Sequence, residues 1–203
     1  MTITTEQIKE LRQETGAGIM DCRKALEQAD GNLDQALEYL REKGMSKAAE
    51  RSDREASEGV VELYSHGNGR VGVMVEVNCE TDFVARSEAF RTFAHEIALQ
   101  IAAGAPLYVS HFDIPEEVLD LERERAREYA KSEGKPENVI ERIVDGRLEK
   151  FLDEACLLRQ PYIRDDEITV EKLLLQTVAA IGENVIIRRF QRYELGSNSS
   201  EVN

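Results

Sequence analysis

The residue types suited to catalysis or metal binding in this 203-residue sequence are few: three histidines, three cysteines and one short acidic run. His66, His95 and His111 stand in unlike contexts, and none has a cysteine or second histidine at metal-ligand spacing. No Gly-x-Ser-x-Gly or comparable nucleophile turn is present, so a serine nucleophile has no framework. Gly16-Ala17-Gly18 has the first two glycines of a dinucleotide loop. Asp21 stands where the third would be, and the residues before the loop have helical rather than strand spacing, so the run reads as a helix breaker. Asp165-Asp166-Glu167 is acidic enough to attract a cation but lacks the alternating ligands and glycine of a calcium loop, which makes a solvated face the better reading. Cys22, Cys79 and Cys156 are odd in number and far apart, the pattern of reduced thiols in a cytosol rather than of a disulfide framework. No catalytic residue, bound metal or cofactor is expected.

A different kind of chemistry is carried by Asn78-Cys79-Glu80-Thr81-Asp82-Phe83-Val84. This stretch joins a segment with strand periodicity, in which Val71, Val73, Val75 and Val77 recur every second residue, to one with helical periodicity. In the latter Ser87 can cap a helix whose apolar set is Phe90, Phe93, Ala94, Ile97 and Ile101, ending at Gly104. Two readings stay open for the connection. Phe83 and Val84 can tuck under the new helix while Thr81 and Asp82 shape a turn. Alternatively, Thr81, Asp82, Phe83 and Val84 form an apolar finger with a carboxylate at the rim of a rigid unit, where binding residues concentrate.

Charge narrows what such a finger would meet. A net charge of −14 and a pI near 4.8 disfavour direct binding to nucleic acid, which needs clustered cations to displace counterions. No apolar run reaches the roughly 18 residues of a membrane span, and MTITTEQIKE lacks the basic and apolar regions of a secretory signal. A protein partner in the cytoplasm is the expectation, with no membrane contact.

The elements that position the finger read as an α+β fold. Residues 1–44 predict a module of three short helices. Thr4 and Gln7 form a capping box, Ile3 and Ile8 a hydrophobic staple, and Gly44 the stop of the third helix. Residues 45–58 are charged and poor in large apolar side chains, a linker or a solvated helix. Residues 59–195 form the core: a hairpin turning at Ser65 to Gly69, the helix from Ser87, and a helical hairpin at about 113–152 reversed by Gly134-Lys135-Pro136. An extended connection through Pro161, a helix capped by Thr169 and a last strand from Asn184 to Leu195 in the same antiparallel sheet complete it. The helical hairpin begins at Asp113, Pro115 and Glu116 and has a sparse apolar stripe, so much of it is expected to be solvated. Residues 196–203 read as a disordered tail.

Four runs, in order, resemble the translation elongation factor Ts family in its short bacterial form. LRQETGAGIMDCRKALEQADGNLDQA is similar to the family's ubiquitin-associated-like module and VNCETDFVARSEAF to its central motif. GRLEKF and IGENVIIRR are similar to its C-terminal signatures. The resemblance implies a guanine-nucleotide exchange factor for the GTPase elongation factor Tu. It implies that Asp82 and Phe83, flanked by Thr81 and Val84, wedge into the GTPase domain and disturb its magnesium site, and that Gly18, Ile19, Met20 and Lys24 of the N-terminal module grip a helix of the same partner. Longer members repeat the strand-and-helix unit, so in this short form a second protomer is expected to supply it, making a homodimer. Two rivals stand beside this reading: a non-enzymatic adaptor that holds a partner helix on the N-terminal bundle, and a hydrolase using Asp165, Asp166 and a histidine.

Overall fold

The computed structural model describes Ile3–Thr15 and Ala17–Ser197; the expectations for Gly16 and for the tail beyond Ser197 lie outside the described residues. Three helices open the chain, α1 (Thr5–Thr15), α2 (Ile19–Gln28) and α3 (Leu33–Ala49). The first starts at the expected capping box: the Thr4 amide donates to Gln7 Oε1 at 3.0 Å, and the Gln7 amide donates to Thr4 Oγ1 at 3.3 Å. Leu11, Cys22, Ala25, Leu26, Ala36 and Leu40 are the buried centre of this bundle, with Ile3 and Ile8 packed against it.

The third helix departs from expectation, because it runs through Gly44 to Ala49. A Cβ built on Gly44 would lie 3.1 Å from Cβ of Ala179, tighter than ordinary van der Waals contact. The glycine therefore lets two helices approach rather than ending one. Residues 50–57 are tied down in turn. Asn184 Nδ2 donates to the carbonyls of Ser52 (3.2 Å) and Arg54 (2.7 Å), and Ala56 is buried.

Strands β1 (Glu58–His66) and β2 (Val71–Cys79) form the hairpin, with Gly67, Asn68 and Gly69 all at positive φ in the turn. Gly59 is required by close approach: its φ is +149°, and a Cβ there would overlap the Val77 carbonyl oxygen. Helix α4 (Asp82–Ala85) is a single turn that periodicity did not reveal, and α5 (Glu88–Gly104) follows with Phe90, Phe93, Ala94, Ile97 and Ile101 all buried. Ser87 caps α5 as expected, its Oγ accepting the Phe90 amide at 3.3 Å.

Beyond α5, Tyr108 forms an isolated bridge to Cys156 rather than a strand. Asp113 does not cap the next helix. It closes a capping box with Ser110 around a 3-10 turn at His111–Asp113, and Pro115 occupies the N-cap of α6 (Glu116–Ser132). Gly134, at φ +67°, and Pro136 reverse the chain into α7 (Glu137–Ala155). The α6/α7 core is thin: Ala126, Ala130, Ile140 and Val144 are buried, with Ile143 against them. Outside it, the Arg127 guanidinium forks onto Glu141 at 3.0 and 3.1 Å, and the Arg147 guanidinium lies 3.6 Å from the centroid of Tyr129.

The connection expected through Pro161 is a 3-10 turn at Leu157–Arg159 followed by a small antiparallel pair, β3 (Pro161–Tyr162) and β4 (Asp165–Thr169). A two-residue strand is too short to show alternation, so no periodic signal marks it. Helix α8 (Val170–Ile181) ends before Gly182, at φ +86°, and β5 (Val185–Glu194) follows. The main sheet has the order β1-β2-β5. Strand β5 runs antiparallel to β2, since Leu195 bonds to Arg70 while Arg189 pairs with Glu76. The fold is α+β.

Contacts divide the chain into two compact units. One takes residues up to Val60, Val77–Phe93 and Lys172–Ile186; the other takes Val61–Glu76, Ala94–Glu171 and the residues from Ile187 on.

Candidate functional site

Strand β2 delivers the central stretch. Val73, Val75, Val77 and Cys79 are buried, and so is Asn78, whose Nδ2 donates to the Glu58 carbonyl at 3.2 Å. The chain then turns at Thr81, the N-cap of α4, with φ −126° and ψ 152°. Its Oγ1 accepts the Val84 amide at 3.3 Å and its carbonyl accepts the Ala85 amide at 3.1 Å. Ala85 is turned inward and buried, which leaves Phe83 on the outer side of the turn.

Phe83 is 85% exposed, so the packed-turn alternative does not hold for it. An aromatic ring left in water forgoes the burial that ordinarily accounts for its presence. Asp82, also exposed, receives Arg86 Nη2 at 2.9 Å, an i,i+4 surface pair that is weak enough to be exchanged for another partner. Val84 is half-buried. The site is thus one aromatic ring with a carboxylate beside it, on a one-turn helix held by its cap.

Gly18, Ile19, Met20 and Lys24 are brought together at the start of α2. Gly18 is its N-cap, with φ −62° and ψ 147°. Ile19 and Met20 are 56% and 62% exposed, Lys24 is exposed one turn after Met20, and Cys22, Ala25 and Leu26 take the opposite, buried side. Gly18 is not forced by space, because a Cβ there would meet only Asp21 Oδ2 at an ordinary 3.6 Å. Both candidate sets belong to the same compact unit.

The residues suited to catalysis are occupied elsewhere. His66 Nδ1 is 2.9 Å from the Tyr64 hydroxyl, His95 Nδ1 is 2.8 Å from Glu62 Oε1, and His111 lies against the ring of Phe112. All three cysteines are free and buried. Burial, and then the Glu183 carboxylate, push the Cys79 thiol up to about 11. Asp166 lines a cavity of about 520 Å³ with Gln100, Gln160, Tyr162 and Arg164, but no histidine lines it, so the hydrolase rival finds no assembled site there. Among the described residues no group of three or more His, Cys, Asp or Glu side chains is placed to hold a metal ion, and no helix is long and apolar enough to cross a membrane.

An exposed phenylalanine on a capped turn is a feature that kinship can explain. The family model described as Elongation factor TS matches residues 4–197. This chain belongs to the elongation factor Ts family. Among its relatives, the elongation factor Ts of Carboxydothermus hydrogenoformans is 57% identical over 194 residues, covering 96% of this chain and 89% of that protein. That of Caldanaerobacter subterraneus subsp. tengcongensis is also 57% identical, covering 96% and 97%. That of Moorella thermoacetica is 54% identical, covering 96% of each. Both candidate sets lie inside the stretch matched to the elongation factor Ts model.

Two residues of the site region were not singled out from sequence. Glu183 accepts both the amide and the hydroxyl of Thr81, and Glu80 accepts the amide of Asn184. The signal for Glu183 was indirect, a Glu-Asn pair directly before a strand, inside the IGENVIIRR run, with no local group to explain it; Glu80 stood within the central stretch, between Cys79 and Thr81, with no role assigned to it.

Proposed function

We propose that the protein is the guanine-nucleotide exchange factor of elongation factor Tu, acting in the cytoplasm during translation elongation and making or breaking no covalent bond itself. The observation that carries this is the exposure of Phe83 on a chain of the elongation factor Ts family. In the proposed mechanism Phe83 enters between helices of the GTPase domain, and Asp82 beside it disturbs the magnesium site. Ile19, Met20 and Lys24 on α2 hold a second surface of the same partner, so residues 1–44 serve as a binding module and Gly18 opens its contact face. Exchange of this kind needs differential affinity only. The factor binds the nucleotide-free or distorted GTPase more tightly than the loaded one, and by reciprocity GDP loosens the factor by the same ratio.

The working species in this reading is a homodimer. Val61, Leu63, Met74 and Tyr193 leave large apolar side chains exposed on β1, β2 and β5, a surface that a second protomer would cover.

The test is release of labelled GDP from elongation factor Tu. Substoichiometric amounts of this protein are expected to accelerate it, whereas an adaptor that merely grips a helix on Ile19 and Met20 would bind without changing the rate. Light scattering that finds only the 23.0 kDa monomer, alone and with the GTPase, would remove the dimer.

A further inference from the structure

Helix α4 has four residues, too few to fix its own direction, since an isolated helix needs roughly 12 to 15 residues even to be marginal. Its orientation comes from a contact 102 residues away in sequence. The Thr81 hydroxyl donates to Glu183 Oε1 at 2.7 Å, and the Thr81 amide donates to Glu183 Oε2 at 3.0 Å. The same hydroxyl oxygen accepts the Val84 amide at 3.3 Å, so the chain of bonds runs from α4 through its cap to one carboxylate. The neighbouring bond runs the other way: the Asn184 amide donates to Glu80 Oε1 at 2.6 Å, and Arg54 Nη1 lies 3.5 Å from the same oxygen. Two consecutive residues after α8 are thereby clasped to two consecutive residues after β2.

We propose that Glu183 is the positioning residue of the exchange site. It touches neither the nucleotide nor the partner. Its two oxygens lock the Thr81 rotamer that caps α4, and this sets the direction in which Asp82 and Phe83 leave the surface. The assignment rests on the reading of Phe83 as the exchange wedge. Position 183 needs two hydrogen-bonding atoms rather than a charge. A glutamine there can accept the Thr81 amide with its carbonyl and donate to the Thr81 hydroxyl with its amide, while alanine can do neither.

The experiment measures GDP release from elongation factor Tu at limiting exchanger for Glu183→Ala, Glu183→Gln, Phe83→Ala and the Glu183→Ala/Phe83→Ala double variant, with a melting curve for each. Glu183→Ala is expected to slow release roughly tenfold, the loss of a two-bond charge-assisted contact, and Glu183→Gln to stay within about threefold of the parent. The double variant is expected to be slower than Phe83→Ala by clearly less than the roughly tenfold that Glu183→Ala costs alone, because only Asp82 is left to misdirect, whereas the melting shift caused by Glu183→Ala is the same in both backgrounds. Wild-type release by Glu183→Ala overturns the assignment. So does a Glu183→Gln as slow as Glu183→Ala, which would indicate a charge contact with the partner, or a full additive loss on top of Phe83→Ala. Normal release by Phe83→Ala alone sinks the wedge reading first, and the assignment with it. If Glu183→Ala does not fold, Thr81→Val removes the other half of the contact and is held to the same outcomes.

Discussion

Gly44 on α3 faces Ala179 on α8 so closely that a Cβ added to the glycine would lie 3.1 Å from the alanine's. The helix carrying the last part of the N-terminal bundle is thus packed on the helix that leads to Glu183. A glycine inside a helix costs about 1 kcal/mol relative to alanine, and close packing is what offsets it here.

Gly44→Leu is therefore expected to destabilise the protein by about 1 to 3 kcal/mol, as overpacking does in a tight interface, with a lower urea midpoint and an unchanged slope. A neutral or stabilised Gly44→Leu would mean that the propensity gain dominates and that the two helices do not press on one another.

The contrast between Gly44 and Thr4 shows where the sequence was legible. Thr4 and Gln7 bond to each other three residues apart, and Phe90, Phe93, Ala94, Ile97 and Ile101 repeat at helical spacing, so capping and burial are written locally. Gly44 has the same local signature as a helix stop, and only the distant Ala179 turns it into a packing residue. The central stretch was recognisable as a candidate site because an aromatic and a carboxylate sit at a strand-to-helix joint. Whether Phe83 points in or out was not, since that depends on a cap fixed by Glu183 across 102 residues. Strand β3 and helix α4 escaped for a simpler reason: neither is long enough to repeat the pattern that would reveal it.

Cys79 gives the pH prediction. Burial first and the Glu183 carboxylate second raise its thiol to about 11, above the ordinary value of about 8.5 that it regains on unfolding. A raised folded value means that its contribution to stability is complete below about 8.5 and is lost as pH rises through about 11. Urea midpoints are expected to fall across that window, and to fall less steeply in Cys79→Ala. Equal slopes in the two proteins would contradict the assignment of that loss to Cys79.

Ile19 and Met20 provide a test of the N-terminal surface. Both are mainly in water, so the Ile19→Ala/Met20→Ala variant is expected to keep its melting temperature within the shift that about 0.5 kcal/mol produces. Its binding to elongation factor Tu, followed by calorimetry, is expected to weaken at least tenfold, as truncation of interface anchors does. Unchanged binding would reduce this face to a structural accessory.

Asp82 and Phe83 separate by their response to magnesium. Asp82→Ala is expected to slow GDP release, and since its proposed action is on the magnesium site, the defect is expected to shrink when magnesium is chelated. The Phe83→Ala defect is expected to persist. A chelator that leaves the Asp82→Ala defect unchanged would detach Asp82 from the metal.

The most direct measurement is the rate of labelled GDP release from elongation factor Tu driven by limiting Phe83→Ala, read beside its melting curve. The ring is 85% exposed, so its loss is expected to leave the fold almost untouched, while removing an interface anchor worth about 2 kcal/mol slows release roughly thirtyfold. A Phe83→Ala protein that melts normally and still releases GDP at the parent rate would contradict the proposed function of this site.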